Sequence, residues 1–178
     1  MFQGGMTRRN FLAGAAAGLA FGLPGVAETV GAPAEPELAV ISGDPGAATR
    51  KAVEALGGMS RFVQKGQRVV LKPNMSFASG PERASNTHPA VVVAVAQMCL
   101  EAGAARVMVL DNPLQTADLC LRRAGVFDAC KGLKNVYVQM VTEQKFFREV
   151  KVPQGKVLDR VEVIKEVLDS EVLINLPQ

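Results

Sequence analysis

The chain has 178 residues, with 20 basic and 17 acidic side chains, a formal net charge of +3, and no tryptophan. With Arg8 and Arg9 set aside as part of a leader the balance is +1, which gives no case for a nucleic-acid partner or a polybasic membrane patch. The length is enough for one domain with a core of its own.

The first 27 residues read as a leader rather than as fold. Arg8 and Arg9 precede Phe11 and Leu12, and an uncharged Ala/Gly/Leu/Phe run of about 15 residues follows, ending at Gly25-Val26-Ala27. A positive start, a short apolar run and a small-x-Ala cleavage pattern are the parts of a secretory signal, and the paired arginines add the twin-arginine signature. The run falls short of the roughly 20 residues that span a bilayer as a helix, so no stable transmembrane span is expected. A buried or amphipathic N-terminal helix is the alternative reading. As a leader, the segment implies the twin-arginine translocation machinery as a partner, and a periplasmic or otherwise extracytoplasmic destination. Without it, 18 basic residues face 17 acidic ones. Residues 28–37, with Pro33 and Pro36, read as a linker, and residues 38–178 as the α/β domain.

Residues 38–41 form a short apolar run, expected to be a first strand. Asp44 is placed to cap a helix over residues 47–56, with Pro45 at its first position and Gly57-Gly58 at its end. A short helix is expected over residues 59–63. Residues 68–71 form the second strand, and residues 72–86 a long loop with Pro73, Gly80 and Pro81. Thr87 is expected to cap the next helix, opened by Pro89 and closed by Gly103. Residues 107–110 are a strand with no polar alternation, as when both faces are covered. Strand, helix, glycine and strand together make a crossover unit. Helices are expected over residues 115–124 and 127–131, and a strand over 136–141. Alternation around Pro153-Gln154-Gly155 predicts an antiparallel hairpin within residues 147–163. A helical turn over 164–168 and a last apolar strand over 172–174 complete the pattern. The expected fold is a Rossmann-like, three-layer, mostly parallel α/β sheet with an inserted β-hairpin, incomplete at the C-terminus because a buried strand followed by Asn-Leu-Pro is a poor place for a domain to end.

Cys99, Cys120 and Cys130 include no C-x-x-C pair, so neither a zinc nor an iron–sulfur ligand set is encoded in these residues. Cys99 reads as core. A disulfide between Cys120 and Cys130 is open in an oxidising compartment.

In open parallel sheets, ligands bind beyond the carboxyl ends of the strands. Ser42, Gly43 and Asp44 follow the first expected strand, Lys72, Pro73, Asn74 and Ser76 the second, Asp111 and Asn112 the third, and Asn175 the last. Lys72 can anchor a carboxylate or phosphate, or act as a base or nucleophile when desolvated; the bland alternative is a solvated lysine. Asn74 can orient a ligand or bond its own loop. Thr87 is either a cap or, with the helix start behind it, an anion site. His88, the only histidine, is a candidate acid/base or a surface residue. Asp111 can bind a ligand, cap a helix or pair with Lys72. No dinucleotide fingerprint, P-loop, nucleophile elbow or H-E-x-x-H occurs.

Val69-Val70-Leu71-Lys72-Pro73-Asn74, Thr87-His88-Pro89, Glu101-Ala102-Gly103-Ala104, residues 107–111 and Val172-Leu173-Ile174-Asn175-Leu176-Pro177 resemble, in order and spacing, the family called domain of unknown function 362. In that family a Lys-rich, His-containing segment follows the Asn-Leu-Pro strand end, whereas here Gln178 stands where Lys is common. The resemblance implies a bacterial ferredoxin-type module, with [4Fe–4S] clusters, in a downstream part. It also implies a redox-linked role in the envelope, as an enzyme or enzyme subunit with a redox partner or a small anionic ligand. A non-catalytic binding module and an inactive fragment are the competing readings.

Overall fold

A computed structural model describes residues 36–178. Arg8, Arg9, Phe11, Leu12 and Ala27, the positions expected to form a leader, and the expected linker up to residue 35 lie outside the described residues.

Helix α1, Pro45–Ala55, is capped as its sequence demands: Asp44 Oδ1 accepts the Ala47 N–H at 2.9 Å. A single 3₁₀ turn, Met59–Arg61, leads to strand β1, Arg68–Pro73. After a long loop, helix α2 runs Pro89–Glu101 and β2 Arg106–Asp111. Two short helices follow, α3 (Ala117–Arg123) and α4 (Val126–Cys130), then β3 (Val136–Met140). The hairpin is β4 (Phe147–Lys151) and β5 (Arg160–Ile164), and α5 (Lys165–Asp169) leads to β6 (Val172–Leu176).

β1, β2, β3 and β6 form one parallel sheet in the order β3-β2-β1-β6, while β4 and β5 pair only with each other, antiparallel. The chain therefore steps from β1 through β2 to β3 in one direction, then returns to the other side of β1. Val69, Leu71, Val107 and Val109 turn towards α2, in a core that also takes in Val92, Val95, Cys99, Val126 and Cys130. The alternate residues Val70 and Leu110 turn to the opposite face, where Phe146, Phe147, Ile164 and Val167 cover them. The sheet thus has α1, α2 and α4 on one side, and the hairpin with α5 on the other, a three-layer Rossmann-like arrangement.

Helix α2 is apolar nearly all round because it is enclosed by the sheet, α1 and α4; Val92, Ala96 and Cys99 are fully buried. Gly103 ends it at φ +95°, and a Cβ there would lie 3.2 Å from the Lys65 backbone, so both conformation and close approach call for glycine. Burying each large aliphatic side chain of this core contributes about 1.5–3 kcal/mol.

One expected strand is corrected. Residues 38–41 form no strand, and Leu38 and Val40 are 78% and 85% exposed. Four apolar residues with no neighbouring strand have no ladder hydrogen bonds to offset the ordering of their backbone.

Candidate functional site

The site is built where β1 and β6 end side by side. Their register sets Lys72 opposite Asn175 and Pro73 opposite Leu176, so Lys72 and Asn175 share one face of the sheet. Both are exposed. β2 ends one strand over at Asp111, which is 1% exposed.

Asp111 organises the rim. Its Oδ1 accepts from Lys72 Nζ at 2.7 Å, and its Oδ2 accepts the Met75 N–H at 2.7 Å and the Ser76 hydroxyl at 3.1 Å. A buried carboxylate with three donors, one of them cationic, is fully satisfied. Lys72 also donates to the Pro73 carbonyl at 3.3 Å, and its side chain is 46% exposed. An ammonium has three protons; two are engaged here, and the third is open to a ligand in the solvent.

The loop after β1 is held by its own polar side chains. Asn74 donates through Nδ2 to the Ser85 carbonyl at 3.1 Å and accepts the Ser76 N–H at 3.2 Å. Thr87 Oγ1 accepts the Asn74 N–H at 2.8 Å and donates to the Leu176 carbonyl at 2.5 Å, tying the ends of β1 and β6 together. Asn86, 2% exposed, accepts the Phe77 N–H and donates to the Phe77 and Ser79 carbonyls. Sequence reasoning did not single out Asn86; an asparagine inside a long loop, one residue before Thr87, was the only signal.

Two roles differ from expectation. Thr87 is not the cap of α2. His88 occupies the N-cap and its Nδ1 accepts the Ala90 N–H at 3.2 Å, because the Thr87 hydroxyl is held between the two strand ends. The helix start is therefore closed by its own histidine rather than left open to an anion, and one His88 nitrogen is engaged by the backbone. Of the alternatives open for Asp111, the structure takes the pair with Lys72 and not the cap of α3, whose N-cap is Thr116. The rim gathers Lys72, Asn74, Ser76, Thr87, Asp111 and Asn175; among the described residues no hydrogen bond joins His88 to Lys72 or Asp111.

Cys99, Cys120 and Cys130 are free and buried, with no disulfide among them. Burial pushes the Cys99 thiol up to about 12 and the Cys130 thiol to about 11, and raises Cys120 as well. Such thiols stay protonated and inert at neutral pH. Among the described residues no group of three or more His, Cys, Asp or Glu side chains is placed to hold a metal ion. The three buried, protonated cysteines do not make the thiolate set that an iron–sulfur cluster needs. No helix among the described residues is long and apolar enough to cross a membrane.

A parallel three-layer sheet with a polar cluster at its carboxyl rim defines the class: a Rossmann-like α/β domain. The profile of the domain of unknown function DUF362 matches residues 69–178, and the chain belongs to that family. It is also 32% identical over 137 residues to the thylakoid-associated protein sll1697 of Synechocystis sp. (strain ATCC 27184 / PCC 6803 / Kazusa). That match covers 74% of this chain and 39% of the relative, so the chain spans well under half of that protein's length. No solved structure matches the chain.

Proposed function

We propose that this chain binds a small anionic ligand, a carboxylate or phosphate, in the crevice between the carboxyl ends of β1 and β6. Lys72 is the electrostatic anchor and Asn175 the orienting amide. Asp111, Ser76, Asn74 and Thr87 hold the anchor and the rim in shape.

The observation that carries this reading is the position of the Lys72–Asn175 pair at the topological switch point. The chain leaves β1 through α2 on one face and reaches β6 through α5 on the other. Helices that diverge to opposite faces open a crevice between the two strand ends, which is where open α/β sheets bind ligands. A cation with an unengaged proton and an amide that both donates and accepts stand side by side at those strand ends.

Binding without chemistry is the form of this reading that the side chains favour. Lys72 is paired with Asp111, and His88 uses Nδ1 for its helix. Neither Lys72 nor His88 is therefore placed as a free base beside a nucleophile. The Arg8-Arg9 pair and the uncharged apolar run after it, read as a twin-arginine leader, support an extracytoplasmic site of action. The redox link implied by family resemblance gains no support from the three buried thiols.

Calorimetric titration with inorganic phosphate and with citrate tests the proposal. Lys72→Ala is expected to weaken binding at least about tenfold, and Asn175→Ala, an exposed edge-strand change that should leave folding intact, to weaken it severalfold. Lys134→Ala, an exposed lysine away from the rim, should have no effect. Equal affinity in all four proteins, or no binding to the unmodified chain, overturns it.

A further inference from the structure

The sheet has an open side next to the candidate site. β6 is an edge strand, and among the described residues nothing pairs with its outer edge. Its sequence, Val-Leu-Ile-Asn-Leu, has none of the charges or prolines that usually protect such an edge. Beside it runs an apolar groove of about 560 Å³, lined by Ala52, Val53 and Leu56 of α1, by Met59 and Phe62, and by β6 itself. On the opposite face Leu173 is 51% exposed.

The same molecule carries an unpaired segment of matching character. Residues 38–41, Leu-Ala-Val-Ile, are apolar on both alternating faces, as a strand between the groove and the Leu173 face must be. Leu38 and Val40 are 78% and 85% exposed. The segment joins directly to the helix that walls the groove. Its C-terminal end is already at the correct end of the sheet: Asp44 caps α1, and a Cβ on Gly46 would touch Ala90 in the first turn of α2, just past Thr87, which bonds the Leu176 carbonyl.

Topology fixes the direction. A strand beyond β6, followed by α1 and then β1, moves across the sheet in the same sense as β1, α2 and β2. α1 and α2 lie on the same face, so both crossovers have one hand, the right-handed one such units adopt.

We propose that residues 38–42 dock on the outer edge of β6 as a fifth, parallel strand, covering the groove and bringing Ser42 to the rim beside Asn175. The occupant is this chain's own segment rather than a second copy, because the tether through Gly43 and Asp44 makes the docking intramolecular and raises its effective concentration. Docking at this sheet edge does not depend on ligand binding at the rim.

Amide hydrogen exchange on the whole chain tests it. Residues 39–42 and the outward amides of β6 are expected to exchange at least about tenfold slower than free peptide, at any protein concentration. The double variant Val40→Asp/Ile41→Asp should abolish protection in both segments and leave β1 and β2 unchanged. Free-peptide rates in both segments of the unmodified chain would overturn the proposal. So would protection of β6 that survives the double variant and rises with protein concentration, since a second copy would then be the cover.

Discussion

Asp111 shows how one buried side chain sets the chemistry of a rim. Its carboxylate is 1% exposed and accepts from Lys72, Met75 N and Ser76 Oγ. Removing it would leave a buried N–H without a partner and a lysine without its counter-charge. Asp111→Ala is therefore expected to cost about 2–4 kcal/mol in urea unfolding. Asp111→Asn, which keeps one acceptor oxygen, should cost less. A loss under about 0.5 kcal/mol for the alanine variant would show that the loop is held by Asn74 and Asn86 alone. Lys72, Asp111 and Asn175 were legible in the sequence because each directly follows or ends an apolar strand. Their division of labour was not, because it depends on which side chains meet: Asp111 serves Lys72 and the loop backbone, not the ligand crevice directly. The cap of α2 fell to His88 rather than Thr87 for the same reason. Either can cap a helix by local rules, and only the Leu176 carbonyl, 89 residues away from Thr87, decides which does.

At the scale of elements, long-range pairs align the strand starts as the rim aligns their ends. Glu171, just before β6, accepts the Arg68 backbone N–H at 2.7 Å and the Arg68 guanidinium at 2.6 Å at the start of β1. These bonds from Arg68 hold the Glu171 carboxyl at about 2, below its ordinary 4.5. A depressed carboxylate stabilises the fold fully above its ordinary value, and that contribution is lost as pH falls from about 4.5 towards 2. Unmodified protein should accordingly lose stability across that window more steeply than Glu171→Gln, as followed by thermal melts. The difference should shrink in high salt, since both side chains are over 40% exposed. Parallel melting curves for the two proteins would rule the pair out as a strand clamp. Element type was mostly legible: helices α1 to α4, strands β1 to β3, the hairpin and β6 all follow from periodicity, glycine and proline. The run at 38–41 has the same apolar composition as a strand, but strand formation is a property of a pair, and in this structure the run is not paired with the open edge of β6.

For the whole molecule, the two sheets differ in how much apolar surface secures them. β1 and β2 lie between two clusters, and Val69, Leu71, Val107 and Val109 are fully buried. No residue of β4 or β5 is buried, although Phe147 and Ile164 touch the second cluster. Isolated two-stranded ribbons are marginally stable. Hydrogen exchange should therefore find β4 and β5 amides opening at least about tenfold faster than those of β1 and β2. Equal protection would mean that the hairpin unfolds only with the core. The local alphabet of the chain determined the class of fold: unbroken apolar strands must be covered on both faces, and glycine-ended helices between them must cross over to cover them. Strand order was a different matter. That β6 returns beside β1, rather than extending the sheet past β3, reflects competition among surfaces far apart in sequence. Only the folded sheet decided it, and with it the position of the crevice, because hydrogen-bonded register between β1 and β6 is what sets Lys72 against Asn175.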